Sequence, residues 1–170
     1  MQTPKVAAAP SARRLELVRE SVVRPVADRR ELAAHFEVRR RIFVEAQQLF
    51  ERDDRDAYDD DPATLHVVGL AGAEVVGAVR LYRLDGRGLW KGDRLAVLPR
   101  SRALQLGADL VRCAVQLAGE AGGIRMVATV QAPNVRFFER LGWCQTGPRT
   151  LFHDVEHQGM EIPLTSPSGG

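Results

Sequence analysis

The chain has 170 residues, 45% hydrophobic and 27% charged, which is the size and composition of one soluble domain with its own core. No segment approaches the roughly 18 apolar residues of a membrane span, and the Ala/Pro/Ser-rich start lacks the apolar run of a signal peptide, so we expect a cytoplasmic protein. The net charge is only +2, and no basic run is interleaved with aromatic residues, which argues against nucleic-acid binding.

A single domain is expected at residues 17–164, because neither a linker nor an internal repeat interrupts it. Residues 1–16 and 165–170 are biased towards small and polar residues and are predicted to be flexible tails. Cys113 and Cys144 are too few for a disulfide framework or a metal knuckle, so we expect reduced thiols and no metal.

The first predicted elements are a strand at Val22–Val26 and a helix that begins at Asp28. Asp28 and Glu31 have the capping-box spacing. The apolar residues that follow recur at helical intervals and extend the helix to about Val44.

Three strands are predicted in the middle of the chain. Leu65–Leu70 and Val75–Leu84 flank the small-residue turn Ala71-Gly72-Ala73 and predict a hairpin. Gly88–Leu98 predicts the third strand, which Pro99 ends.

The last third begins with a long helix predicted at Ala103–Ala121, which carries a continuous apolar stripe. Ile124–Val130 predicts a buried strand, and a short helix starts near Asn134. Trp143–Leu164 predicts two strands around a turn at Gly147-Pro148.

The resulting order is β-α-ββ-β-α-β-α-ββ. It predicts an α/β (α+β) fold with a mixed, mostly antiparallel twisted sheet flanked by helices. A ligand is expected where the sheet changes its connection.

The most informative segment joins the third strand of the middle group to the long helix. A helix N-terminus offers unpaired N–H groups and a partial positive charge, Gly107 and Ala108 leave room for a phosphate, and Arg100 and Arg102 add cations. The segment has neither the Gly-Lys-Ser/Thr of a P-loop nor GxGxxG. On spacing alone, an ordinary turn with solvated arginines fits equally well.

These residues resemble the acyl-CoA motif of the GNAT acyltransferases, R/Q-x-x-G-x-G/A after a strand ending in Val-x-Pro. Here Val97-Leu-Pro99 precedes Arg102-Ala-Leu-Gln105-Leu-Gly107-Ala, with Gln105 in place of the first glycine. Phe137-Phe-Glu-Arg-Leu-Gly-Trp143 is similar to the family's fYeklGF, and Gly77-Ala-Val-Arg80-Leu to its GxxRL. The resemblance covers residues 17–164 and implies the GNAT acyl-CoA transferase fold.

A narrower resemblance concerns the first helix. Arg39-Arg-Arg-Ile-Phe43-Val-Glu-Ala-Gln47, the acidic stretch Asp53–Asp61, Leu65-His-Val-Val and Gln131 are similar to the ElaA-like acetyltransferases. They are more similar still to the nitrogen-starvation acetyltransferases encoded beside a nitrilase, which implies a role in nitrogen metabolism.

The family resemblance implies acetyl-CoA as the cosubstrate and assigns its site. The backbone N–H of Leu95 would act as the oxyanion donor to the acyl carbonyl, and the pantetheine arm would run along the strand to the pyrophosphate turn. The residues implied in cofactor binding are Leu95, Val97, Arg102, Ala103, Gln105, Leu106, Gly107, Ala108 and Phe138.

Two catalytic positions of the family pattern are changed. Lys91 stands where relatives carry a glutamate base, so Asp93 on the same strand face is the candidate base. Its alternative role is a strand-face ion pair to Arg94 or to a neighbour of Lys91. Phe138 replaces the tyrosine that protonates the CoA thiolate. The CoA thiol has an ordinary pKa of about 8.5, so its thiolate is a good enough leaving group without a general acid.

Three further polar residues near the first helix have structural interpretations. Arg39 is expected to anchor this helix to a carboxylate, the alternative being contact with a substrate. His35 and His66 are expected to be core or surface histidines.

The acidic stretch at residues 51–61 carries a net charge of −5, which leaves +7 on the remainder of the chain. In the resembling family this connection borders the acceptor site. Asp59, Asp60 and Asp61 are therefore expected to attract a small cationic amine, unless the stretch is only a solvated loop.

The predicted function is transfer of an acetyl group from acetyl-CoA to a small amine by direct attack in a ternary complex, in a monomer or homodimer. The alternatives are a non-catalytic acyl-CoA binding module, motivated by Lys91 and Phe138, and an acyl transferase resembling the homoserine-lactone synthases.

Overall fold

The computed structural model describes residues 21–165. The tail predicted at residues 1–16 lies outside this range, as does the one at 165–170 apart from its first residue. The strands are β1 Ser21–Pro25, β2 Leu65–Ala71, β3 Glu74–Arg83, β4 Leu89–Val97, β5 Arg125–Gln131, β6 Cys144–Phe152 and β7 Val155–Pro163. The α-helices are α1 Arg29–Arg39, α2 Ala57–Asp60, α3 Leu106–Glu120 and α4 Val135–Arg140.

The seven strands form one sheet in the order β1-β2-β3-β4-β5-β7-β6. Only β4 and β5 are parallel, and their pairing stops at Lys91 and Val127. The expected mixed, mostly antiparallel sheet is confirmed. Beyond Lys91 the two central strands diverge and leave an opening in the middle of the sheet.

Helices cover both faces of this sheet. Val76 and Ala78 of β3 pack in one buried cluster with α1, whereas Val79 and Leu81 pack in the other with α3 and α4. Because neighbouring residues on a strand point to opposite faces, the two clusters lie on opposite sides of the sheet. Within residues 21–165, no helix is long and apolar enough to cross a membrane.

The N-terminal helix begins as predicted but changes its winding. The Asp28 carboxylate accepts from the Glu31 backbone N–H at 2.8 Å and caps α1. After Arg39 the chain continues as a π-helix, Arg40–Ala46, instead of an α-helix to Val44. Such wide turns are rare and often lie at functional sites.

The long helix begins three residues later than predicted. Pro99–Leu104 forms a 3₁₀ helix, so Arg102 and Ala103 precede α3. Gln105, between the two helices, has φ +58° and ψ +16°, the left-handed conformation that glycine adopts most readily. The family's glycine position is therefore conformationally special, and here glutamine occupies it.

The C-terminal hairpin turns at a different place from the one predicted. His153 and Asp154 have φ +49° and +61° and connect β6 to β7, as a tight two-residue hairpin turn requires. Gly147-Pro148 lies inside β6, at a register shift between Thr146 and Thr150.

Candidate active site

A cavity of about 440 Å³ opens where β4 and β5 diverge. Its walls come from four regions: the end of the π-helix and the loop after it, the middle of β4, the end of β5, and the β6–β7 hairpin. Its lining includes Phe43, Gln47, Leu49, Phe50, Lys91, Asp93, Arg94, Leu95, Gln131, Phe138, Trp143, Thr150, Leu151, Phe152 and His157.

A β-bulge shapes the β4 wall. Arg80 pairs with Asp93 and Ala78 pairs with Ala96, so β4 carries one residue more than β3 between these pairs. Arg94 has φ +55°, a strained conformation for arginine. Leu95, the predicted oxyanion donor, follows directly after this bulge.

The side chain of Arg94 is fixed by the acidic stretch. Its Nε and Nη2 donate to the backbone carbonyl of Asp54 at 3.1 and 3.0 Å. Its guanidinium also lies 5.0 Å from the centre of the Phe50 ring. These contacts offset the backbone strain, and they fasten the loop to the bulge.

Asp93, the predicted base, is ion-paired. Arg80 donates to both of its carboxylate oxygens, at 2.8 and 2.7 Å, and the Tyr82 hydroxyl donates to Oδ2 at 3.2 Å. Asp93 therefore forms an ion pair across β3 and β4, but its partner is Arg80 and not the expected Arg94, which binds Asp54 instead. Asp93 also lines the cavity.

Three acids of the acidic stretch form ion pairs with arginines. Asp54, Asp56 and Asp59 bind arginines on α1, β3 and β4, in a network of three guanidiniums and four carboxylates that includes Asp93. Asp60 and Asp61 are exposed and do not line the cavity. Three of the seven acids of the stretch are therefore neutralised by arginines and do not contribute to a free negative surface.

Asp59 differs most from the prediction, because its side chain is fully buried. Burial opposes its ionisation, but hydrogen bonds from Arg39 and the nearby charges of Arg39 and Arg80 hold the pKa of its carboxyl well below the usual range. Asp59 does not line the cavity. Its position corrects the expectation that it meets an acceptor.

Arg39 has the anchoring role that was expected. It is fully buried, and it donates to Asp54 and Asp59 at 2.7 Å each. Its guanidinium therefore holds the acidic stretch against α1. No part of Arg39 lines the cavity.

The buried histidines of the first helix and β2 lie away from the cavity. His35 and His66 pack edge to face with ring centres 5.0 Å apart. Burial lowers the pKa of His35 to about 3 and also lowers the pKa of His66. Both are core histidines.

The two motifs of the family resemblance are adjacent in space. A Cβ built on Gly107 would lie 3.6 Å from the Phe137 ring, in ordinary contact. Arg102 is exposed, has no ion pair within residues 21–165 and suits a phosphate, whereas Arg100 pairs with Glu74. Leu106 is buried, which leaves only its backbone for a ligand.

Val97 and the 102–108 segment lie outside the cavity lining, which includes only Leu95 and Phe138 from the predicted cofactor set. Phe138 is buried and packs edge to face on Trp143, with 5.4 Å between ring centres. The cavity therefore corresponds to the reacting end of the predicted cofactor site.

His157 is a lining residue that no sequence motif singled out. Its Nδ1 lies 2.8 Å from the Val155 carbonyl oxygen, so a neutral ring donates there and keeps the lone pair of Nε2. In the sheet, His157 pairs with Gln131 of β5 and Thr150 of β6. Only this long-range register brings the three together.

A hydrogen bond also connects two residues of the narrower resemblance. Gln131 Nε2 donates to Gln47 Oε1 at 2.8 Å, between the end of β5 and the end of the π-helix. Both side chains line the cavity.

The profile of the Acetyltransferase (GNAT) family matches residues 32–143. The chain belongs to this family. Membership assigns it to the acyltransferases that use an acyl-CoA donor, and the predicted GNAT fold is confirmed.

Individual relatives agree with this assignment. The chain is 27% identical over 108 residues to the uncharacterized N-acetyltransferase YjcF of Bacillus subtilis strain 168, covering 64% of this chain and 74% of YjcF. Its fold is similar to a putative N-acetyltransferase from Lactobacillus plantarum, with TM-score 0.75, 18% identity, and 85% and 98% of the two chains covered. For Escherichia coli ElaA, the TM-score is 0.74 at 18% identity, over 83% and 98%.

Proposed function

We propose that the protein transfers an acetyl group from acetyl-CoA to a small amine. The observation that carries this proposal is the cavity at the divergence of β4 and β5. Leu95 and Phe138 line it on the predicted donor side, and the π-helix and the β6–β7 hairpin form a second wall for an acceptor. A ternary complex with direct attack suits a cavity that has both walls.

The donor is held mainly by backbone groups and the 102–108 turn. The N–H of Leu95 would stabilise the oxyanion, and Val97 would lie beside the pantetheine arm. The cation of Arg102, which has no ion pair among the described residues, and the first N–H groups of α3, at Leu106 and Gly107, suit the pyrophosphate, whereas the Ala108 N–H donates to the Gln105 carbonyl at 3.1 Å.

The reaction forms a C–N bond and breaks the thioester C–S bond. The amine nitrogen attacks the carbonyl carbon, the carbonyl oxygen gains charge beside the Leu95 N–H, and CoA leaves as its thiolate. Phe138 has no proton to give, so the thiolate takes a proton from solvent after it departs.

We assign the proton of the attacking amine to His157. Both oxygens of Asp93 already accept from Arg80, whereas Nε2 of His157 has a free lone pair in the cavity. A neutral imidazole within reach of the amine is a suitable general base. Asp93 remains the second candidate.

The proposed setting is nitrogen metabolism in the cytoplasm, within the ElaA-like group. Its support is the resemblance of the Arg39–Gln47 segment and of Gln131 to these acetyltransferases; in the structure, Gln131 donates to Gln47.

The test is to incubate the purified protein with acetyl-CoA and a panel of small amines, and to measure free CoA and acetylated product. Acetyl-CoA is also compared with longer acyl-CoA donors. Release of CoA coupled to amine acetylation supports the proposal. Acetyl-CoA binding with no CoA release for any amine supports the non-catalytic module, and a preference for long acyl chains contradicts acetyl transfer.

A further inference from the structure

We infer that the acceptor is an amine that also carries a carboxylate, and that Lys91 binds this carboxylate. The inference rests on the proposed function, because it concerns the acceptor half of the same cavity. It differs from the cationic amine that the acidic stretch suggested.

The charged side chains that line the cavity differ in whether they already have an ion-pair or hydrogen-bond partner. Asp93 accepts from Arg80 at both oxygens, and Arg94 donates to Asp54. Lys91 forms no ion pair and no side-chain hydrogen bond with any of residues 21–165. Among the described residues, the lining therefore offers one charged donor without a partner, Lys91, and no carboxylate oxygen without a donor, which suits an anionic group on the ligand.

Lys91 is badly placed to serve the phosphates of the donor. It precedes Val97 on β4 by six residues, or roughly 20 Å of strand, and the pyrophosphate turn lies beyond Val97. The thioester end of acyl-CoA carries no charge. The free ammonium is thus left for the acceptor.

The acceptor wall also carries apolar side chains beside the polar Gln47, Thr150 and His157. It includes Phe43, Leu49 and Phe50 from the π-helix and the loop after it, and Leu151 and Phe152 from the β6–β7 hairpin. Leu151 is 72% and Phe152 46% exposed, and such exposed apolar side chains at a cavity commonly contact a ligand. An acceptor with an apolar chain or side chain, in addition to its amine and carboxylate, therefore fits this wall.

The spacing allows both short and extended amino acids. By sheet register, Lys91 aligns with Val127, and His157 lies one strand further and four residues along. Their Cα atoms are therefore roughly 16 Å apart. Both long side chains face one cavity, so the test uses leucine and 6-aminohexanoate as acceptors.

The experiment compares each amino acid with its carboxamide at saturating acetyl-CoA, in the wild type and in Lys91→Gln. We expect Lys91→Gln to raise the KM of the preferred amino acid roughly tenfold or more, as expected for loss of a charged hydrogen bond, and to change the KM of its amide little. Each acceptor has the same amine basicity in the wild type and in Lys91→Gln. The change in KM for the acid, divided by the change in KM for the amide, therefore reports the contact of Lys91 with the carboxylate alone. Lys91→Arg should retain the preference.

Arg87→Gln is the matched control, since Arg87 is an exposed cation outside the cavity lining. It should leave both acceptors unchanged. Equal losses for acid and amide in Lys91→Gln would overturn the inference, as would acetylation of plain amines with none of amino acids.

Failure of the proposed function has a separate signature. If no amine releases CoA, calorimetry with N-acetylleucine and N-acetylleucinamide in the presence of CoA still reports the carboxylate preference. Tighter binding of the acid, lost in Lys91→Gln, supports the inference, and equal binding overturns it.

Discussion

Arg80 holds Asp93 through two hydrogen bonds, Nε to Oδ1 at 2.8 Å and Nη2 to Oδ2 at 2.7 Å. The pair joins β3 to β4 immediately before the bulge at Arg94. The same guanidinium binds Asp56 and Asp59. It therefore couples the β4 wall of the cavity to the acidic stretch.

Asp93→Asn is expected to lower the free energy of unfolding by about 1–3 kcal/mol, because fully buried Arg80 loses one charged partner and keeps two. Urea denaturation measures this change. If Asp93 has only this structural role, the folded variant keeps the pH dependence of kcat/KM. Loss of nearly all activity in a folded variant would instead support Asp93 as the base.

His157→Gln is expected to reduce kcat by a factor of about 10² or more, as for loss of a general base. Glutamine retains a donor for the Val155 carbonyl, so the fold should persist. Glu156→Gln, an exposed position on the same hairpin that pairs with Arg149 and lies outside the cavity lining, is the control and should behave as wild type.

Gly107→Glu is expected to abolish acetyl-CoA binding, because its carboxylate would occupy the place of the pyrophosphate. The first atom of the new side chain meets only ordinary contacts, at 3.6 Å from Phe137 and 3.9 Å from Val97. Gly107→Gln has the same shape without the charge and should bind more tightly than Gly107→Glu. Calorimetry with acetyl-CoA measures both, and unchanged affinity in a folded Gly107→Glu would contradict the site.

Asp59→Asn and Asp60→Asn should have different effects, although the residues are neighbours. Asp59 is buried between Arg39 and Arg80, so its loss is expected to cost about 3 kcal/mol of stability. Asp60 is 82% exposed in its side chain and should change stability by less than about 0.5 kcal/mol. Similar urea midpoints for the two variants would refute the buried network.

Acidification should already lower the free energy of unfolding at pH values above those at which the carboxylates of the protein titrate. Burial lowers the pKa of His35 from an ordinary value of 6.5 to about 3. Below pH 6.5, His35 is therefore protonated in the unfolded chain but remains neutral in the folded chain. Stability is then full above pH 6.5 and declines towards pH 3. His35→Gln should reduce the loss between pH 7.5 and 5.5, measured by urea unfolding, and His66 accounts for part of the remainder.

Local patterns predicted most elements of the fold. The Ala71–Ala73 turn, the apolar stripe of α3 and the Asp28 cap each depend on nearby residues, and each is present. The turn of the last hairpin was misplaced, because Gly147-Pro148 is the stronger turn signal, but the chain reverses at His153-Asp154.

The buried ion pairs and the cavity residues were harder to predict, because both depend on residues that are distant in the chain. Asp59 lies 20 residues from Arg39 in the chain, and its burial depends on that ion pair. His157 enters the cavity through the register of β7 with β5 and β6. Neither the ion pair nor the strand register can be predicted from the hydrophobic periodicity of neighbouring residues.

The irregularity within β6 has a consequence for the molecule's behaviour at high concentration. β6 is the last strand of the sheet, and within the described chain its outer side is unpaired. An open strand of this kind is a template on which another polypeptide can extend the sheet. Pro148 has no N–H to offer, and the register shift around it interrupts the ladder. This short interruption protects the exposed rim against edge-to-edge aggregation.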